Sequence, residues 1–249
     1  VDNASKRVLF AHNDAEPLPI ASITKLLTAM VVIDTMDLDA VLKAPSDIRL
    51  VPEKRLGLRP GDRLTVRDLL HGMLIVSGND CAEVLARAYP KGGRSGFILT
   101  MNRKAAQLGA RTAILYTPSG LDLKVALGRI KGRTLKARKP NKASAADVAK
   151  IAQFAFENYP LIRKISSTKT HMIKTRNKKA RRYALRSNDK LLFRRVPVAG
   201  AKTGFTNLAG RCIVAQFKDK KDDYTVVVLN TRHHFKAAER VYHWAKKAF

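Results

Sequence analysis

The sequence predicts an α/β (α+β) fold, an antiparallel sheet flanked by helices and joined to a mostly helical subdomain. Three observations carry that expectation. Near the C-terminal end, residues 196–202, 212–217 and 224–229 are β-rich runs separated by short turns, residues 218–223 being the tightest. Between residues 21 and 158, apolar residues recur at helical spacing in segments punctuated by Pro and Gly. The chain has 249 residues, 45% of them hydrophobic and 6% aromatic, which suits one core. One domain in two lobes is expected, a sheet lobe over about 1–40 and 185–249 and a helical lobe over about 41–184.

Taken in order, Ala4-Ser5-Lys6 reads as a turn leading into a short strand, Val8-Leu9-Phe10. Pro17 and Pro19 break the chain before a helix over 21–35, whose Leu26, Leu27, Met30, Val31 and Ile33 make one face apolar. Mixed loops and short strands follow to residue 66. A second helix is expected over 68–76, ending at Ser77-Gly78-Asn79-Asp80, where Asp80 caps the next helix, 81–89. Another helix is predicted over 95–108, then a turn at Thr117-Pro118-Ser119-Gly120. Residues 124–142 hold Lys124, Arg129, Lys131, Arg133, Lys136, Arg138, Lys139 and Lys142 with no acid, and read as an exposed basic loop. Helix 144–158, started by Ser144 and Asp147, precedes a second basic stretch, 163–186, of strands and loops. A last helix, 236–247, carries Val241 and Trp244 on a face suited to cover the sheet.

The formal charge of +28 predicts a surface that attracts polyanions. No run approaches the length of a membrane span, and the first residues show no basic-then-apolar leader, so a mature chain is expected. Cys81 and Cys212 make no disulfide framework. The six histidines have no metal-ligand spacing, so neither metal nor cofactor is expected.

Chemistry first shows at Ser22-Ile23-Thr24-Lys25. Residues i and i+3 share a helix face, so a hydroxyl and an amine meet at the start of a buried helix. Ser166 to Lys169 and Ser187 to Lys190 have the same spacing, but lie in polar or turn-like sequence. Order separates them: Ser22 to Lys25 is followed by Ser77-Gly78-Asn79 on a loop between helices, then by Lys202-Thr203-Gly204 at a strand end.

These residue types suit acyl transfer. Ser22 is the candidate nucleophile, and Lys25 the base, if burial and the Lys202 cation depress its pKa. Ser77 can relay a proton to the leaving amine. Asn79 can hold Lys25 through its oxygen and a substrate peptide through its nitrogen. Lys202 and Thr203 can meet a substrate carboxylate, and Gly204 lets a substrate backbone lie along the strand edge. The backbone N–H groups of Ser22 and Phe205 are the natural oxyanion donors.

The sequence resembles the low-molecular-weight penicillin-binding proteins, peptidase family S11, and most closely D-alanyl-D-alanine endopeptidases of the penicillin-binding protein 7 type. The likeness extends to residues 19–26, to 89–109 with Met101-Asn102, to Pro118-Ser119-Gly120-Leu121, and to 202–210. It implies a β-lactamase/transpeptidase-like fold whose first strand would lie mostly before Val1. It implies a periplasmic enzyme, exported by a signal peptide absent here, that acylates Ser22 with a D-Ala residue of peptidoglycan peptide stems and is inhibited by β-lactams. Residues 122–140 look like an insertion. The related carboxypeptidases carry a second β-rich domain or a C-terminal anchor that this sequence lacks, so a soluble or loosely membrane-associated enzyme is expected. The basic segments are expected to contact anionic cell-wall or membrane surfaces rather than nucleic acid.

A D-Ala-D-Ala carboxypeptidase uses the same site, and Phe205 after the Lys-Thr-Gly run favours the endopeptidase by resemblance. A β-lactamase fits less well, because no Glu-x-x-x-Asn pattern supplies a second base. A polyanion-binding protein with a vestigial site explains the charge but not the three motifs.

Overall fold

The structure, a computed structural model, describes residues 1–130 and 133–249. Residues 1–3 run beside the chain's last strand: Thr225 N–H donates to Val1 O (2.9 Å) and Asn3 N–H to Asp223 O (2.8 Å). The predicted strand at residues 8–10 is not formed. It pairs with no strand among the described residues, Val8 and Phe10 stay more than half exposed, and the Phe10 ring rests edge-on against Trp244.

Strand β1 (Leu18–Pro19) leads into a tight 3₁₀ turn, Ala21–Thr24, and only then into helix α1 (Lys25–Thr35). A single α-helix from residue 21 was expected. The turn replaces its first part because Ala21 takes a φ of +45° where two other backbones press on it. At three residues per turn, i and i+3 eclipse one another, so Ser22 stands directly over Lys25. Helix α1 buries every residue from Lys25 to Val32.

Strands β2 (Val41–Lys43) and β3 (Arg63–Thr65) pair antiparallel. Helix α2 (Val66–Ile75) starts two residues earlier than expected because Thr65 is its cap, accepting the Asp68 N–H at 3.0 Å. Helix α3 (Asn79–Arg87) also starts early, so Asp80 lies inside its first turn and is not its cap. Helix α4 (Gly93–Gln107) follows.

The basic segment predicted as a loop is a hairpin, β4 (Leu123–Ile130) against β5 (Arg133–Lys139), with Val125 opposite Ala137. Its frequent cations mask the period-two alternation of a strand; Lys131 lies outside the described residues. Strand β6 (Lys142–Ala143) pairs with β1. Helix α5 (Ala145–Asn158) is capped by Ser144 Oγ, which accepts the Asp147 N–H at 3.2 Å. Helix α6 (Pro160–Ser166), not expected in the second basic stretch, begins on a proline, whose missing N–H costs nothing there. Strands β7 (Thr170–Lys174) and β8 (Arg182–Arg186) form a hairpin beside α2.

The main sheet has the order β11-β10-β9, from β9 (Val198–Thr206), β10 (Gly210–Lys218) and β11 (Asp223–Thr231), all antiparallel. Its side chains alternate between faces. Cys212 and Val214 join the large core made by α1–α6, while Ala201, Ile213, Ala215 and Phe217 pack under α7 (His234–Ala248), Phe217 stacking on Tyr242 at 4.5 Å. Among the described residues, no helix is long and apolar enough to cross a membrane.

Candidate active site

Three chain segments distant in sequence converge where α1, α3 and β9 meet. Lys25, fully buried at the start of α1, places its Nζ 2.8 Å from Ser22 Oγ, 2.8 Å from Asn79 Oδ1 and 2.7 Å from the backbone oxygen of Ser119. The last two partners can only accept. They therefore take the two hydrogens of a neutral lysine amine and leave its lone pair for the Ser22 O–H.

Burial, reinforced by the Lys202 and Lys54 cations, holds the Lys25 amine well below the ordinary lysine range. Lys202 Nζ donates to Ser77 Oγ (3.0 Å) and to the Thr203 backbone oxygen (2.9 Å). It is 2% exposed, and burial, then Lys54, push its pKa down to about 7 while the buried Asp189 carboxylate pulls the other way. Its ammonium is thus nearly buried against Ser77, which is itself 1% exposed, as Ser22 is 6% exposed.

Ser77 closes the turn between α2 and α3 at φ +61°, a strained conformation for a residue with a side chain. Asn79 opens α3, with its N–H donating to Lys54 O and its Nδ2 lying 3.3 Å from both Pro52 O and Glu53 O. A substrate peptide would have to compete with these two long contacts for the Asn79 amide nitrogen. On the other wall, a methyl group at Gly204 would lie 2.9 Å from Ile20 O and 3.1 Å from Ser22 N. The end of β9 therefore abuts the nucleophile's turn, with Phe205 beside it.

The two competing Ser-x-x-Lys matches form no such pair. Ser166 Oγ is buried without a hydrogen-bond partner while Lys169 is exposed, and Ser187 Oγ accepts the Asp189 N–H at 3.1 Å.

Three supports escape sequence reasoning. The Ser119 oxygen is one, since a backbone acceptor leaves no side-chain signal. The second is Asn141, which accepts from the N–H groups of Tyr116 and Thr117 (2.8 and 3.1 Å) and donates to Thr117 O and Thr24 Oγ1. It ties the 117–120 turn to the nucleophile's turn, yet sits in sequence among cations. Asp80 is the third. Its oxygens accept the N–H groups of Leu56, Gly57, Leu58 and Cys81 at 2.9–3.0 Å, clamping the loop that carries Glu53 and Lys54 onto α3.

In Asp80→Asn, one carboxylate oxygen becomes an NH₂ group facing two N–H donors. Losing two buried charge-assisted bonds is expected to cost about 2–4 kcal/mol. A lower urea midpoint together with a raised KM is the expected result; an unchanged midpoint would show that the loop needs no clamp.

The profile of the peptidase S11 family, described as D-alanyl-D-alanine carboxypeptidase, matches residues 1–233. The chain is 32% identical over 250 residues to a D-alanyl-D-alanine endopeptidase of Pseudomonas aeruginosa and 33% identical over 254 residues to one of Escherichia coli, each alignment covering 98% of this chain and 74% of the relative. It is also similar to the crystal structure of a D-alanyl-D-alanine carboxypeptidase from Mycobacterium tuberculosis, with a TM-score of 0.84, 28% identity, and coverage of 99% of this chain and 88% of that one. The fold is that of the penicillin-binding proteins and DD-transpeptidases. From the length of these matches, the chain belongs to the peptidase S11 family and is a serine hydrolase.

Proposed function

We propose that the protein is a D,D-peptidase that cuts D-Ala-containing bonds of peptidoglycan through an acyl-enzyme on Ser22, with cross-links as its main substrate. The observation that carries this reading is the buried Lys25 amine held between Ser22 Oγ, Asn79 Oδ1 and Ser119 O. Lys25 takes the Ser22 proton as Oγ attacks the D-Ala carbonyl, and the backbone N–H groups of Ser22 and Phe205 receive the oxyanion. The C–N bond breaks as the proton returns through Ser77 to the leaving amine. Water then releases the D-Ala acyl group from Ser22. A β-lactam opens on the same oxygen and stays attached.

The endopeptidase names of the two relatives support cross-links as substrate. The family description favours a second reading, carboxypeptidase action on a free terminal D-Ala. Either substrate supports a periplasmic location, and the charge of +28 supports attraction to anionic wall or membrane surfaces there.

Two measurements test the reading. Fluorescent penicillin is expected to label the wild-type protein covalently and to leave Ser22→Ala unlabelled; an adduct that survives the substitution would sink the Ser22 acyl-enzyme. Digestion of monomeric pentapeptide and of cross-linked dimer, followed by product masses, is expected to show the dimer cut. Release of D-Ala from the monomer with an intact dimer would replace endopeptidase by carboxypeptidase.

A further inference from the structure

Residues 158–188 hold ten Lys and Arg and no Asp or Glu. In the fold, many of these cations gather on the β7–β8 hairpin. Its register sets Thr170 opposite Arg186, Met172 opposite Ala184 and Lys174 opposite Arg182. Strand residues two apart share a face, so these six make one side of the hairpin, and all six are exposed. From the other side, Ile173 and Leu185 are buried in the large core. At one end of the exposed face, Lys169 Nζ lies 6.0 Å and the Arg186 guanidinium carbon 5.1 Å from the centroid of the Phe193 ring. The turn at the other end adds Arg176, Lys178 and Lys179, all exposed.

This face is built at a cost. Lys174 and Arg182 stand directly opposite one another, and like charges so placed destabilise a strand pair, a penalty that a bound anion removes. Among the described residues, the four cations around the face and the three of the turn pair with no carboxylate, whereas the neighbouring Arg181 is paired with Asp62. The turn is tied down: Arg176 N–H donates to Arg63 O (2.7 Å), Asn177 Nδ2 to Gly61 O (2.9 Å), and Arg63 N–H to Asn177 Oδ1 (2.9 Å). A partner therefore meets a surface whose backbone is already ordered, which lowers the cost of binding. Charge alone would suit any polyanion. Met172 and Phe193, 55% and 44% exposed among the cations, call for a partner that is anionic at its surface and apolar just beneath it. We propose that the outer face of β7–β8 docks on an anionic phospholipid bilayer, with Lys169, Lys174, Arg182 and Arg186 on lipid phosphates and Met172 and Phe193 at the boundary between headgroups and acyl chains. Docking rests on the surface attraction proposed above and not on chemistry at Ser22, so its failure leaves the penicillin and muropeptide tests untouched.

The test is co-sedimentation of the full chain with phosphatidylcholine vesicles, with and without phosphatidylglycerol. Wild type is expected to bind the anionic vesicles and not the neutral ones. Lys174→Gln/Arg182→Gln/Arg186→Gln should weaken partitioning by about a hundredfold, at roughly fivefold for each cation near the surface. Lys236→Gln/Arg240→Gln/Lys247→Gln removes the same charge from exposed positions of α7, across the main sheet, and should weaken it by less than about threefold. Met172→Ser/Phe193→Ser should weaken it about tenfold without any change of charge. Arg182→Glu sets an acid opposite Lys174, so it should raise the urea midpoint while weakening vesicle binding, a pair of effects that misfolding cannot produce. Equal binding of wild type to neutral and anionic vesicles would overturn the proposal, as would equal losses in the hairpin and α7 variants. Retention by purified peptidoglycan without binding to vesicles, or binding indifferent to Met172→Ser/Phe193→Ser, would give this face to an anionic polymer and overturn the bilayer assignment.

Discussion

Replacing Lys25 by Ala is expected to slow β-lactam acylation of Ser22 by roughly 1,000-fold, in the range of a lost general base. The substitution removes the one group that, among the described residues, lies within hydrogen-bond reach and can take the Ser22 proton, and leaves Asn79 Oδ1 and Ser119 O without their donor. Stopped-flow acylation measures it, and a loss below about tenfold would show that another group accepts the proton. The sign of the pH dependence follows from the lowered pKa. Lys25 acts as a base only when neutral, so acylation rises with pH through its folded value, well below the ordinary lysine range. Lys202→Gln removes one of the two cations that help burial keep that value low. The rising limb is therefore expected at higher pH in this variant, still below the ordinary range because burial remains. The limb reports the coupled lysines in wild type and Lys25 alone in the variant. A limb that stays in place would show that Lys202 has no electrostatic hold on Lys25.

Gly120→Ala is expected to damage both folding and acylation. Gly120 adopts φ +82°, and an added Cβ would lie 2.0 Å from Ala21 O and 2.9 Å from Ser22 N. Both are backbone atoms of the nucleophile's turn, so relief requires moving Ser22. The left-handed conformation costs about 1–2 kcal/mol for a residue with a Cβ, and overpacking about 1–3 kcal/mol more. We expect a loss of about 3 kcal/mol in urea unfolding together with slower acylation. Gly109→Ala is the control, because φ is +69° there and nothing lies within 4 Å of the added carbon. It should lose only the conformational part, with acylation unaffected. Equal losses in the two variants would mean that the 117–120 turn does not press on the nucleophile.

Much of the architecture was legible because local signals agreed with burial. The three sheet strands were found within a few residues, since Ile213, Val214, Val226 and Val227 are both β-branched and buried or nearly so. Errors fell where local and tertiary preferences part. Residues 8–10 have strand composition but pair with no strand among the described residues. The cations of 124–139 concealed a hairpin, whose strands need only backbone pairing. Asp80 looked like a helix cap, as an acid near a helix start usually is, but four N–H groups from two chain segments claim it.

By itself the sequence determined which residues meet. Ser22, Lys25, Ser77, Asn79 and Lys202 were named from spacing and order, and the structure holds them in two hydrogen-bonded groups, Lys25 with Ser22 and Asn79, and Lys202 with Ser77. Spacing suffices for Ser22 and Lys25, because helix period dictates which side chains share a face; the other three were linked to them by the order of the motifs. Only the tertiary structure decided what surrounds them. It set the Lys202 ammonium on Ser77 Oγ and Thr203 O, supplied the Ser119 oxygen as the third support of Lys25, and brought Lys54 and Arg211 against the Phe205 ring. Those outcomes depend on backbone atoms, burial and the approach of distant loops, which no local pattern of side chains encodes.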